Sequence, residues 1–289
     1  MTFGPHGRAV PRPDLAPWAW LGLGGAGVFA AYAPVVPSMV AEWVQFPSLS
    51  HGFAIPLIAA FLVWGRRARI SAERFGTSAI GIPLVALGLM LLVVGSLGGE
   101  SFLARVSLPL TLLGTVLYLA GPGVTRHVWA GIAYLIFMVP LPFVFLKPLT
   151  YQSQLFDATL TARALPWLGV PVLQEGIFLH LPNISLEVAP DCSSVPAIAA
   201  LAALGAAYAQ MKPRPAWIRV LLVVAAVPLG LGSNLVRIIL TALSAYHFGR
   251  AALDNVVHMF NGTTVFLATV VLLVVLDTVL LRLDRTKAG

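Results

Sequence analysis

About eight windows of largely apolar sequence follow one another through this chain with only short polar breaks, and that succession leaves few folds open. A hydrocarbon core about 30 Å thick takes roughly 20 apolar residues per helix. The windows run from Trp18 to Val36, Gly52 to Trp64, Ala79 to Leu97, Phe102 to Ala120, Val128 to Leu146, Val195 to Gln210, Trp217 to Phe248 and Val256 to Leu281. In lipid only helices or a closed barrel satisfy every backbone N–H and C=O, and these runs lack the alternation of barrel strands. The expected fold is an all-α polytopic membrane protein with about eight transmembrane helices, a single domain over residues 1–289. Composition agrees, because a chain that is 58% hydrophobic and only 10% charged cannot cover a soluble globule with polar surface. The lipid bilayer is its first partner.

Other classes fall away on the same grounds. The net charge of +7 would suit nucleic acid, but the basic residues are scattered in short loops and form no stripe or patch, so no nucleic acid is expected as a partner. One cysteine, Cys192, excludes an intramolecular disulfide framework. One Cys and scattered His give no ligand spacing, so neither a metal nor another cofactor is expected. Arg8 and Arg12 before Ala31-Tyr32-Ala33 superficially resemble a signal peptide, but the apolar stretch is long for one, and it reads as an uncleaved first span.

Positively charged short loops stay in the cytoplasm, which orients the chain. With both termini inside, thirteen of the eighteen Lys and Arg fall on the cytoplasmic side, among them Arg66, Arg67, Arg69, Arg74, Arg126 and Lys212. Arg105, Lys147, Arg163 and Arg250 fall outside, and Arg237 lies within an apolar run. The one long hydrophilic interval, about 147–191, is then an outer loop. Leu149 to Leu168 mixes Gln152, Gln154, Asp157, Thr161 and Arg163 with apolar residues at helical spacing, as an interfacial helix would. After it, Ile177, Leu179 and Leu181 alternate with Phe178 and His180, Pro182-Asn183 makes a turn, and Ile184, Leu186 and Val188 alternate with Ser185 and Glu187. This predicts a small extended hairpin leading into Cys192.

Three stretches bring reactive groups to one leaflet. Arg237 within an apolar run costs about 3 kcal/mol or more unless it faces a partner or a cavity. Asn234, Arg237 and Thr241 share one helix face, and the helix reaches them near the outer boundary. Cys192 follows Ala189-Pro190-Asp191 at the same boundary, and His258 opens the last span with Asn261 and Gly262 after it. A thiol nucleophile, an imidazole for proton transfer and a fixed cation for a developing oxyanion are the minimum kit for thiol acyl transfer. Each has a plainer reading alone: a packed cysteine, an interfacial histidine, a snorkelling arginine. His51, His180 and His247 are also on or near the outer side.

At these residues the chain resembles the exosortase/archaeosortase family, multipass membrane enzymes regarded as sortase analogues. The family's cysteine motif, a small or acidic residue then Cys-Ser-Gly after a Gly-rich extended segment, is matched by Gly176 to Val188 and Asp191-Cys192-Ser193. Its Asn-x-x-Arg-Ile motif is matched by Asn234, Arg237 and Ile238, and its His-Gly-Phe pattern by His258, Gly262 and Phe266. Ser50-His51-Gly52, Pro56, Trp64 and Arg66-Arg67 resemble the family's second span. One departure is Ser194, which stands where the family usually has Gly.

The resemblance implies a cysteine protease or transpeptidase of the cell membrane, with its site facing outside or the periplasm. Its partners would be exported proteins that carry a PEP-CTERM-like C-terminal signal: a short motif, a transmembrane helix and a basic tail. Cys192 would attack the carbonyl, His258 would act as general acid and base, and Arg237 would stabilise the oxyanion or orient a substrate carboxyl group. Asn234 would fix Arg237, and Ser193 and Asp191 would support the cysteine. The acyl group would pass to water, an amine, or an exopolysaccharide or lipid acceptor. Two readings from other classes remain beside it: a transporter or channel subunit using Arg237 for an anion, and a non-enzymatic assembly factor for envelope polymers.

Overall fold

The computed structural model describes residues 16–249 and 255–288; the side chains of residues 16, 17, 143, 255–261 and 285–288 lie outside that description. Helices dominate: α1 (Ala16–Ala31), α2 (Val35–Gln45), α3 (Ala54–Trp64), α4 (Arg67–Ala72), α5 (Gly81–Leu97), α6 (Ser101–Tyr134), α7 (Phe143–Ala164), α8 (Ser194–Met211), α9 (Ala216–Val224), α10 (Ala226–Phe248) and α11 (Asn255–Ala288). Strands β1 (Leu173–Glu175), β2 (Phe178–His180) and β3 (Ser185–Glu187) form one small antiparallel sheet in the order β1-β2-β3. The all-α polytopic membrane fold is therefore the observed class.

The count of eight spans is too high. Among the described residues five helical segments are long and apolar enough to cross a membrane: Pro47–Trp64, Ser101–Met138, Ser194–Met211, Ala216–Phe248 and Gly262–Asp284. The pair Trp18–Ala31 and Val35–Gln45 passes the same test together but is bent by 67°, the form of a broken span or a re-entrant loop, and brings the number to six if it is one span. Pro34 sits at that bend, where a missing N–H and a fixed ring end the first helix. The expected third span is α5, apolar but only 17 residues long. The fourth and fifth expected spans lie in one segment, Ser101–Met138, broken at Gly121. There the backbone takes φ +78°, ψ 177°, a conformation that glycine adopts without strain, and the Gly76 carbonyl fills the space a Cβ would need. Pro140 and Pro142 then separate this segment from α7, so residues that the hydropathy assigned to a fifth span end it early and begin the next helix.

Two compact units divide the chain. The first comprises Met1–Met39 and Val63–Ile136. Its main contact is the antiparallel pair α5 and α6: Gly81, Gly88 and Gly95 recur every seventh residue on one face of α5, and a Cβ at any of them would run into Tyr118, Thr111 or Ala104 of α6. Small residues let the two backbones approach closely where lipid provides no hydrophobic drive between helices. Nearby, the Tyr32 hydroxyl shares hydrogen bonds with Ser107 Oγ (2.7 Å) and Thr111 Oγ1 (2.8 Å), which satisfies three buried hydroxyls at once.

The second unit comprises Val40–Leu62 and Phe137–Gly289. Trp43 Nε1 donates to the Met138 carbonyl at 3.1 Å, tying the early segment of this unit to its later part. Ile218, Leu222, Leu273 and Leu280 form one buried apolar cluster among α9 and α11. Beside it the Arg214 fork grips Asp277 through Nε to Oδ1 (2.6 Å) and Nη2 to Oδ2 (2.7 Å), both side chains almost wholly out of solvent. A second pair of clusters joins the sheet to α7 and α10, through Ala158, Leu179, Val188 and Ile238 and through Leu165, Val170, Leu181 and Ala242.

A helix and a hairpin are present between 147 and 191, as expected, with additions. The helix is α7, continued by a tight turn at Leu165–Leu168. The hairpin is β2 and β3, in the register Leu179 opposite Leu186, with Leu181 N–H to Ile184 O closing the Pro182-Asn183 turn at 2.8 Å. The added strand, β1, pairs Gln174 with Leu179. Its three residues show too little alternation to read as a strand from sequence.

Candidate functional site

Cys192 closes a single tight turn, Pro190–Cys192, between β3 and α8. Pro190 suits the first position of that turn, since its lost N–H would have no partner there. Two residues on, α8 begins, and its N-cap residue Ser193 makes no side-chain cap. The cap comes from another helix: Asp157 of α7 accepts the Ser194 N–H at Oδ2 (3.0 Å), and the Ser194 hydroxyl lies 2.7 and 2.8 Å from its two oxygens. Ser153 Oγ accepts the same N–H at 3.1 Å. A carboxylate at a helix N-terminus satisfies free N–H groups and meets the positive end of the dipole.

Asp157 also receives the Asn234 amide of α10 at 2.9 Å, and the same amide nitrogen donates to the Cys192 carbonyl at 2.7 Å. Asn234 was expected to fix Arg237; its two amide hydrogens go instead to Asp157 and to the backbone of the cysteine. Asp157 itself is 0% exposed. Burial pushes its carboxyl above the usual range, while the bonds from Ser194, Asn234 and Ser153 pull the other way. α7, α8 and α10 are thereby locked around one oxygen pair, and the lock includes the main chain of Cys192.

One turn after Asn234, Arg237 aims at the cysteine. Its Nη2 stands 3.7 Å from Cys192 Sγ, and its Nη1 reaches the Asp191 carbonyl at 3.5 Å. Thr241, the third member of the expected seam, turns its hydroxyl back to the Arg237 carbonyl at 2.9 Å. Burial raises the Cys192 thiol above its ordinary range, Arg237 lowers it, and Asp191 adds to the rise. Asp191 is exposed, whereas Ser193 is 1% exposed and its hydroxyl has no hydrogen-bond partner among the described residues.

α11 meets this group through Gly262, where a Cβ would stand 3.2 Å from Arg237 Nε. His258 lies four residues earlier in the same helix; its side chain is outside the described residues. The other histidines have separate places. His180 holds Ser185 Oγ through Nδ1 (2.8 Å) and stands 3.5 Å from Glu175. His51 lies in the turn Pro47–Phe53, and His247 in the last turn of α10.

A cavity of about 200 Å³ opens at Cys192 and Arg237, lined also by Leu186 and Val188 of the hairpin and by Ile238 and Thr241 of α10. A thiol, a guanidinium and a pocket thus share one site. Among the described residues no cluster of His, Cys, Asp or Glu has the form of a metal site.

Asp157 is the functional residue the sequence reading missed, having been grouped with the polar residues of an interfacial helix. A signal was present. Gln154, Asp157 and Thr161 recur at spacings of three and four, a single polar stripe, and all three are buried. Gln154 spends its amide on the Val188 carbonyl at 2.6 Å, at the end of β3.

Comparison with known proteins places most of this chain in one group. The family described as Transmembrane exosortase (Exosortase_EpsH) matches residues 43–275, a stretch that contains every site residue above. No curated protein and no solved structure matches the chain.

Proposed function

Because the chain belongs to the transmembrane exosortase family, we propose that it is a thiol peptidase or transpeptidase of the cell membrane, cleaving C-terminal sorting signals of exported proteins at the outer face. The observation that carries this reading is the 3.7 Å approach of Arg237 Nη2 to Cys192 Sγ at the mouth of a cavity. A cation that close favours a thiolate and faces the position where an oxyanion develops.

In this mechanism Cys192 attacks the scissile carbonyl, and the carbonyl π electrons move to oxygen, which Arg237 stabilises. His258 takes the thiol proton and returns it to the leaving amine as the C–N bond breaks. Gly262 places the α11 face near Arg237, and residues at i and i+4 share a helix face, which is why His258 is preferred to the other histidines. The acyl-enzyme then passes to water, an amine, or an exopolysaccharide or lipid acceptor. Asp157 and Asn234 hold the Cys192 main chain while this happens. A substrate with a membrane helix and a basic tail suits the geometry, since the helix fixes depth and the tail stays in the cytoplasm.

The test is processing of a co-expressed protein bearing such a signal, with wild type compared with Cys192→Ala, Arg237→Ala and His258→Ala at matched membrane levels. Loss of cleavage in all three supports the mechanism. Wild-type cleavage by Cys192→Ala rules out the thiol route and returns attention to transport or polymer assembly.

A further inference from the structure

β3 is an edge strand. Among the described residues the sheet order leaves it with β2 on one side and no strand on the other. The ladder bonds fix which residues use which side: Val188 N–H reaches Ile177 O (3.0 Å), Leu181 N–H reaches Ile184 O (2.8 Å), and Leu186 stands opposite Leu179. Residues 184 and 186, and the N–H of Val188, therefore turn toward β2. Ser185 and Glu187, at the alternate positions, turn theirs to the open edge. Ser185 and Glu187 of that edge line the cavity together with Arg237, Ile238 and Thr241 of α10, and Cys192 lies five residues beyond Glu187.

We propose that the open edge of β3 is the substrate-docking site, and that it binds the polypeptide segment at the scissile bond as an added antiparallel or parallel strand. This rests on the thiol-peptidase reading. The occupant follows from the groups the edge presents. Two N–H and C=O sets on one side of a strand, roughly 7 Å apart, match an extended backbone and nothing more compact. A helical segment has its own N–H and C=O groups already paired within the helix and has nothing to offer such an edge. The volume, about 200 Å³, suits one or two side chains of an extended peptide and is too small for a helix. The floor made by Leu179, Leu186 and Ile238 is apolar, so the side chain that enters it is apolar as well. The cation at the Cys192 end meets a carbonyl rather than a second positive group. A sorting signal must thus be unwound where it is cut and become helical only beyond that point.

Two experiments test the edge. Cys192→Ser with Ser185→Cys leaves one cysteine in the chain. A substrate with a single cysteine, moved one residue at a time through the ten positions before its membrane helix, is then oxidised in membranes. Docking on the edge gives mixed disulfides at every second position; uniform cross-linking, none, or disulfide-linked pairs of this chain alone overturns the proposal. In the second experiment Glu187→Pro removes the outward N–H without touching the β2 ladder, a change edge strands tolerate. Cleavage should fall at least tenfold while Cys192 alkylates at its wild-type rate, which reports an intact fold. Full cleavage by Glu187→Pro overturns the edge. Alternating cross-links with no cleavage by wild type would instead keep the edge and reject the peptidase reading.

Discussion

Gly262 of α11 lies so near Arg237 of α10 that a Cβ on the glycine would stand 3.2 Å from Nε. That contact sets where the guanidinium can lie, since Arg237 has Cys192 and Asp191 on its other side. Gly262→Ala is tight and Gly262→Val is tighter, so both should displace the guanidinium. The expected result is a loss of cleavage of about tenfold for Ala and more for Val, in line with the roughly 10²–10³-fold effect of removing an oxyanion donor. Initial rates of signal processing at matched protein levels give the answer; unchanged rates would mean that Arg237 does not act through this position.

Arg237→Lys keeps the charge but has neither the planar fork nor its reach to two partners. It should fall about 10²-fold in processing, close to Arg237→Ala. Full activity in the lysine variant would show that charge alone is sufficient.

The Cys192 thiol is raised by burial and lowered by Arg237. Its alkylation rate should therefore keep climbing at pH values above the ordinary thiol range. Arg237→Ala removes the lowering influence, so the curve should move to still higher pH. Rates of maleimide or iodoacetamide labelling across pH, in detergent, measure both. A curve that moves to lower pH in the alanine variant contradicts the proximity of the two groups.

Asp157→Ala leaves the Ser194 hydroxyl and one Asn234 hydrogen without their acceptor in a buried place, and the Ser194 N–H with Ser153 Oγ alone. An unsatisfied buried donor costs about 1–3 kcal/mol, so a total loss of roughly 3 kcal/mol of stability is expected. Thermal unfolding in detergent reads the loss, and processing should fall with it because Asn234, which holds the Cys192 carbonyl, loses its own anchor.

Arg214 and Asp277 form a bidentate pair with 0% and 2% of their side chains exposed. Asp277→Ala strands a buried cation and should destabilise the protein by about 3–5 kcal/mol. Replacing both residues with apolar ones of similar size should recover much of this. Neither change touches the site, so the specific activity of the folded fraction should stay near wild type.

The fold was legible where one physical cause dominates. Apolar runs marked the membrane segments because lipid tolerates little else, and the Leu179 and Leu186 alternation marked the hairpin because one face packs on Ala158 and Ile238. The span count came out lower because α5, at 17 residues, is short for a crossing, and because Ser101–Met138 is one segment kinked at Gly121 where two spans were expected; helix length and backbone geometry decide these points, and apolarity does not report them. At the site, Cys192, Asn234 and Arg237 stood out as polar groups at span boundaries. Asp157 did not, because an acidic residue in an amphipathic helix usually faces water, and its true neighbours, Ser194 and Asn234, lie 37 and 77 residues away.

The cap that Asp157 places on α8 also bears on how such chains can diverge. Glycine in place of Ser194 would keep the N–H and lose the hydroxyl, whose single hydrogen the two carboxylate oxygens share. Positions 157 and 194 are therefore expected to change together: a lineage that exchanges the serine for glycine needs a new donor for the acid or must give the acid up. The two residues form one hydrogen-bonded unit, although 36 others separate them.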